Sequence, residues 1–155
     1  MEVFCDFERI YEEFSGTVYR LAFARVKNKY DADDVLQDVF IKFFKKYPNL
    51  RNEDEIKAVL IKMTVNRTKN LFSSAHFKKT AALDCEIGVD MPDFETLDAV
   101  LRLPLKYRTV IHLHYYCGFK TEEIASLLSL KPSTVKSQLF RAREKLKKEL
   151  EGIEF

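Results

Sequence analysis

Residues 121–150, TEEIASLLSLKPSTVKSQLFRAREKLKKEL, decide how the rest of this chain is read. Thr121 offers a hydroxyl that can accept from an orphan backbone N–H, and Glu122 and Glu123 place negative charge where a helix dipole is positive. A helix is therefore predicted to start here, with Thr121 as its N-cap. Ile124 stands where a full capping box needs Glu or Gln. Ile124, Ala125 and Leu128 share one face, which must lie against something. Ser129, Leu130 and Lys131 leave room for a three-residue turn, and Pro132 suits the first position of a second helix because its missing N–H costs nothing there.

The second helix carries Val135, Leu139, Ala142 and Leu146 at spacings of four, three and four, one narrow apolar stripe that can pack on the first helix. Its other faces are polar and positive. Between Lys131 and Glu149, seven Lys and Arg residues face two Glu residues, a local charge of +5. Ser133, Thr134 and Ser137 are short side chains near the N-terminal end, where a helix in a major groove must approach base edges closely. Long basic side chains follow, placed to meet phosphates. The competing interpretation is a surface hairpin whose charges only keep it soluble. Cap, turn, stripe and charge all agree on a helix-turn-helix, which by itself says only that the chain binds DNA.

The chain has 155 residues, 46% of them hydrophobic and 32% charged, enough for one ordinary domain or two small ones. With only four Gly and four Pro, a sheet-rich fold full of tight turns is disfavoured, and an all-α fold is expected. The net charge of +2 hides a strong segregation. Cys5, Cys85 and Cys117 are odd in number and far apart, with no paired spacing, so reduced thiols of a cytoplasmic protein are expected. The longest run without Asp, Glu, Lys or Arg is eleven residues, 109–119, against about 20 needed to span a bilayer. The opening MEVFCDFE has no basic segment followed by an apolar core, so no membrane insertion or secretion is expected.

Residues 7–26 place Phe7, Ile10, Tyr11, Phe14, Val18, Leu21 and Ala22 at steps of mostly three and four, which predicts an amphipathic helix. Asn28, Lys29 and Tyr30 break the pattern, and Asp31 is the expected cap of a second helix running to about residue 47. That helix has two faces. Val35, Leu36, Val39, Phe40 and Phe43 form the apolar one, while Asp34, Gln37, Asp38 and Ile41 project from nearly the opposite side. The outward face is either solvated surface or a protein-binding face.

Pro48 ends this helix, and PNLRNED is a polar loop before a third helix over about 55–73. Ile56, Val59, Leu60, Met63 and Leu71 would close a three-helix core. Lys57, Lys62, Asn66, Arg67, Lys69 and Asn70, with Lys78 and Lys79 beyond, either track a nucleic-acid backbone or form ordinary helix surface.

Between residues 81 and 100 six acidic residues face no Lys or Arg, a local charge of −6. A structureless stretch of this length is unusual inside a compact domain, so about 74–93 reads as a linker. As flexible coil, about 20 residues average roughly 25 Å end to end. The organisation expected is thus all-α: two small helical domains, residues 1–76 and 94–155, joined by an acidic flexible linker at 77–93. Residues 94–103 and 105–117 supply helices on which the helix-turn-helix packs, with Tyr107, Val110, Ile111 and His114 on one face and Gly118 as C-cap. His112 and His114, two residues apart, point about 200° away from each other on a helix and cannot chelate one ion together.

Three stretches carry a family likeness: DADDVLQDVFIKFFKKY at 31–47; residues 60–70 with Asn66; and LPLKYRTVIHLHYYCGFKTEEIASLLSLKPSTVKSQLFRAREKL at 103–146. In the last, the EIA, TVKS and RAR pieces sit at the family's spacing. Across almost its whole length the chain resembles the bacterial RNA polymerase sigma factors, in their small, two-domain, extracytoplasmic-function group. The resemblance implies a protein that binds core RNA polymerase and directs promoter-specific initiation. Asp34, Gln37, Asp38 and Ile41 would then contact polymerase. Asn49, Arg51 and Asn52 of the loop, with Lys62, Asn66, Lys69 and Asn70 of the third helix, would meet the opened minus-ten strand. Pro132, Ser133, Thr134, Lys136, Ser137, Phe140, Arg141 and Arg143 would read the minus-thirty-five duplex. The linker would thread a channel that otherwise holds nucleic acid, where negative charge is physically sensible. An anti-sigma factor is an implied partner, along with core polymerase and promoter DNA.

The chain departs from the family pattern at several positions. Ser133 stands where Gly is frequent and Gln138 where Arg is frequent. Asn70 and Ser73 replace a usual Asp and Arg, and the Trp common before the Leu60 position is absent. No phosphate loop, nucleophile elbow or spaced ligand set is present, so no catalysis, cofactor or metal is expected. Two other classes compete: a free-standing helix-turn-helix regulator that needs no polymerase, and a metal-dependent hydrolase using His76, His112 and His114.

Overall fold

The structure is a computed structural model that describes residues 2–72 and 94–151. Among these residues every regular element is helical, in two compact units. The first holds α1 (Glu2–Val26), α2 (Lys29–Lys46) and α3 (Glu53–Phe72). In the second are α4 (Phe94–Leu101), α5 (Leu105–Ile111) running into a π turn (His112–Tyr116), α6 (Thr121–Leu128) and α7 (Pro132–Glu151). The predicted linker at 77–93, with Lys78, Lys79 and Cys85, lies outside the described residues, as does His76.

In the first unit each helix packs against the other two. The expected apolar face of α2 is buried through Val35, Val39, Phe40 and Phe43, joined by Ala32. Aromatic rings knit it to α1: Phe7 lies 4.3 Å from Phe44 and Tyr11 meets Phe40 edge-on at 5.0 Å. The last turn of α1, from Leu21 to Val26, is buried on every side, Arg25 included. Arg25 is accommodated because its Nε donates to Thr68 Oγ1 at 2.7 Å and its guanidinium lies over the Phe72 ring.

The α3 seam differs from expectation. It runs through Ile56, Leu60, Ile61, Thr64, Val65, Thr68 and Leu71, leaving Val59 and Met63 half-exposed. Thr64 and Thr68 are tolerated there because their hydroxyls donate to the carbonyls of Leu60 and Val65, at 2.7 and 2.8 Å. An apolar count passes over such threonines.

Asp31 does not cap α2. Asn28 does, its side-chain oxygen accepting from Tyr30 and Asp31 N–H at 2.9 and 3.1 Å, so the helix begins three residues earlier. A two-residue connection suffices because Lys27 adopts the left-handed region, φ 56°.

Every residue from Tyr107 to the end of α5 and on to Leu113 in the π turn is buried, rather than the single predicted face. Arg108 is held by Nη1 donating to Leu103 O at 2.9 Å. The π turn widens the helix after Ile111 and shifts its phase, which buries His112 and leaves His114 half-exposed, its Nδ1 3.0 Å from Phe119 O. Gly118 closes this element with φ 78°, and Phe119 N–H bonds back to Leu113 O at 3.0 Å.

Thr121 is the first residue of α6 and not its cap. Lys120 occupies that position and has no acceptor, so only the reciprocal half of a capping box forms, Glu123 accepting from Lys120 N–H at 3.0 Å. The helix ends as a Schellman motif, with Ser129 left-handed and Leu130 N–H bonded to Ala125 O at 2.9 Å. Pro132 then opens α7 as expected.

Two left-handed positions give opposite expected outcomes. A Cβ at Gly118 would meet nothing within 4 Å, so Gly118→Ala is expected to destabilise by the backbone term alone, about 1 kcal/mol. Ser129→Gly removes that strain and is expected to stabilise by up to about 1 kcal/mol. Urea unfolding followed by circular dichroism compares the two.

Candidate nucleic-acid interface

The rotation of α7 is set by its stripe. Val135, Leu139 and Ala142 are buried against the core of the second unit, with Leu146 half-buried behind them. At about 100° per residue, Ser133, Ser137 and Phe140 then fall within an arc of about 60° on the opposite side. All three are exposed, Phe140 to 63%. Lys136 and Arg143 lie roughly 60–80° to one side of Ser133 and Arg141 about 80° to the other. Pro132, Lys136, Arg141 and Arg143 are exposed and Thr134 is half-buried. The sequence-predicted duplex residues thus form one surface: short side chains and one aromatic at the crest, cations along both flanks. A helix of this width fits a major groove about 12 Å across, with the flanks toward its phosphate walls.

The flanking arginines rest on tyrosines. Arg143 Nε donates to Tyr115 Oη at 2.6 Å, with its guanidinium 5.6 Å from the ring centre. The Arg141 guanidinium beside Tyr107 holds that phenol below the usual range. Lys106 and Lys145 approach the Tyr107 ring at 5.0 and 5.8 Å. Tyr115 was missed at the sequence level, where no periodic signal distinguishes an exposed tyrosine with a partner from one without.

On the first unit, Lys62, Asn66, Lys69 and Asn70 are exposed along one side of α3. Asn66 and Asn70 line a cleft of about 140 Å3 between α2 and α3, with Val39 and Met63 as apolar walls and Lys42 and Arg67 at its margin. Asn49, Arg51 and Asn52 are exposed in the preceding loop. Two of these are partly engaged. Asn52 accepts from Glu55 N–H at 3.0 Å as the start of α3, and Arg51 stands 3.8 Å from Asp6.

The outward face of α2 is exposed at Asp34, Gln37 and Ile41, the last to 53%, with Asp38 half-buried. Its carboxylates are not free charge. Arg67 of α3 donates from Nε to Asp38 at 2.8 Å and from Nη2 to Asp34 at 3.3 Å, joining the two helices. Of the two roles that the spacing leaves open for Arg67, nucleic-acid contact or helix surface, neither includes this tie between helices. His112 and Tyr116 are stacked at 5.1 Å, and among the described residues no group of three His, Cys, Asp or Glu side chains is placed to hold a metal ion. No helix among them is long and apolar enough to cross a membrane.

Comparison with known proteins finds relatives for both units. The family model described as Sigma-70 region 2 matches residues 10–77, and that for Sigma-70, region 4 matches residues 94–146. RNA polymerase sigma factor SigV of Bacillus subtilis is 33% identical over 132 residues, covering 80% of this chain and 78% of that protein. The same organism's ECF RNA polymerase sigma factor SigW is 26% identical over 175 residues, covering 98% and 91%. Among solved structures, the Bartonella quintana sigma factor RpoE, in complex with the anti-sigma factor NepR, has the same fold: TM-score 0.78, 19% identity, 94% of this chain and 97% of that one. CnrH, in complex with the cytosolic domain of CnrY, gives a TM-score of 0.68 at 21% identity over 96% and 89%. The chain belongs to the bacterial RNA polymerase sigma factors, in their extracytoplasmic-function group.

Proposed function

We propose that this sigma factor divides its work between its two units as follows. The first binds core RNA polymerase through the outward face of α2, with Gln37 and Ile41 as the exposed contacts and Asp34 and Asp38 as the charged margin. The side of α3 carrying Lys62, Asn66, Lys69 and Asn70, with loop residues Asn49, Arg51 and Asn52, meets the separated minus-ten strand. In the second unit α7 enters the major groove of the minus-thirty-five duplex. Ser133, Ser137 and Phe140 approach base edges there, while Pro132, Thr134, Lys136, Arg141 and Arg143 lie along the phosphates. The single observation that carries this reading is the crest-and-flank surface of α7, fixed by its buried stripe.

No bond-making chemistry is assigned to the chain; polymerase supplies the catalysis. Strand separation draws on captured unstacked bases, each costing a few kcal/mol to extrude. Cations along α7 add duplex affinity through counterion release, which makes that affinity salt-dependent. The two helical relatives solved with an anti-sigma factor or a partner's cytosolic domain favour regulation by an anti-sigma factor in the cytoplasm. A free-standing regulator would have no use for residues 10–77, which match sigma region 2.

The deciding experiment is in vitro transcription with core polymerase and promoter templates, with start sites mapped. Ile41→Glu puts a charge on the α2 face without touching Arg67, and is expected to reduce core binding at least tenfold while the circular dichroism melt stays unchanged. Asp34→Lys and Asp38→Lys are poorer probes, because they also break the tie to α3. Retained core binding by Ile41→Glu would remove α2 from the polymerase contact.

For the duplex, Lys136→Ala or Arg141→Ala in holoenzyme is expected to weaken binding to minus-thirty-five DNA across sequences. Each should lower the magnitude of the salt slope by about 0.9 per lost phosphate contact. An unchanged slope in fluorescence anisotropy titrations would mean that α7 does not lie against phosphates.

A further inference from the structure

The structure assigns Tyr115 a role that motif spacing does not: we propose that Tyr115 and Arg143 together form a grip for one phosphodiester of the bound duplex. The proposal rests on the placement of α7 in the minus-thirty-five groove described above.

Tyr115 belongs to the π turn and Arg143 to α7, 28 residues later in sequence. The Arg143 Nε–H is spent on Tyr115 Oη at 2.6 Å, and the guanidinium lies 5.6 Å from the same ring. Two consequences follow from that geometry. The ring and hydroxyl restrict the arginine rotamers before DNA arrives, so less ordering remains to be done on binding. The terminal Nη donors stay on the far edge of the planar fork, where a phosphate oxygen can be met by two parallel bonds.

The hydroxyl itself is also equipped to bind. Its oxygen accepts from a cation, which polarises the O–H bond, and its proton remains available to donate. Tyr115 is 56% exposed, so its hydroxyl is open to an approaching phosphate. The ring is seated edge-on against His114 at 4.8 Å, and His114 is in turn tied to Phe119 O. The platform is therefore fixed from behind.

Position on the helix and charge complete the argument. Arg143 lies on the same flank as Lys136, about 10 Å further along the axis, so the two can follow one DNA strand. Among the described residues no carboxylate is ion-paired with Arg143. A carboxylate partner would cancel the charge a phosphate needs; a phenol orients the guanidinium and leaves its charge intact.

The alternative is a brace that merely ties α7 to the π turn, and a double-mutant cycle separates the two. Full-length wild type, Tyr115→Phe, Arg143→Ala and the double variant are each assembled with core polymerase. Binding is titrated by anisotropy on minus-thirty-five duplexes over a range of KCl, and repeated with single neutral methylphosphonates placed in turn along each strand.

Arg143→Ala is expected to weaken binding about tenfold and lower the salt slope by about 0.9. Tyr115→Phe keeps the ring and loses the hydroxyl. It should weaken binding about three- to tenfold with no change of slope, because no charge is removed. At one methylphosphonate position, and only there, the Tyr115→Phe loss should vanish. If Tyr115→Phe binds as wild type, or loses the same affinity at every modified position, the pair is a brace and the grip is refuted. Wild-type transcription run in parallel keeps the two ideas apart: initiation by wild type with an inert Tyr115→Phe removes the grip alone. Absence of initiation by wild type removes the reading on which it rests.

Discussion

The burial of Val135, Leu139 and Ala142 is the contact on which the DNA-facing half of this molecule depends. A 20-residue helix with six Lys and Arg against three Glu is marginal in water, since like charges at neighbouring turns repel and helix nucleation is unfavourable. Burying a Val or Leu side chain contributes about 1.5–3 kcal/mol, enough for a few such residues to hold the helix. The same stripe fixes rotation about the helix axis. Once those residues face inward, the crest and its two cationic flanks face outward without further instruction.

Arginines at the two proposed partner surfaces are treated in opposite ways. In the first, Arg67 is pinned between Asp34 and Asp38, and its charge is largely balanced within the fold. That pair of contacts is worth little individually, because the carboxylates are well solvated. Its value lies in linking the α2 face proposed for polymerase to the helix proposed for the open strand. In the second unit, Arg141 and Arg143 lean on tyrosines instead. A phenol holds a guanidinium in place but leaves the surface field positive, which suits a polyanionic partner. Side-chain order and net charge are thereby tuned separately.

Much of the local structure followed the sequence rules, and the exceptions have definite causes. Helix starts moved by three residues at α2 and by one at α6, where a different residue supplied the cap: Asn28 reaches two N–H groups at once, and Lys120 takes the cap position by virtue of Glu123. The α3 core was misread because Thr64 and Thr68 satisfy their hydroxyls on the backbone and so behave as apolar residues. The α5 face was misread because a π turn at 112–116 alters the helical phase that the spacing argument assumed.

Taken alone, the sequence determined the all-α class, where the helices lie to within about a turn and a half, and which side of α7 points outward. These are local properties, fixed by spacings of three and four residues, by caps and by breakers. Tertiary structure alone decided that Arg67 reaches back 29 and 33 residues to Asp38 and Asp34, and that Tyr115 waits beneath Arg143. Such pairings depend on the rotation and approach of whole helices, which are settled only when the apolar stripes of separate segments pack together.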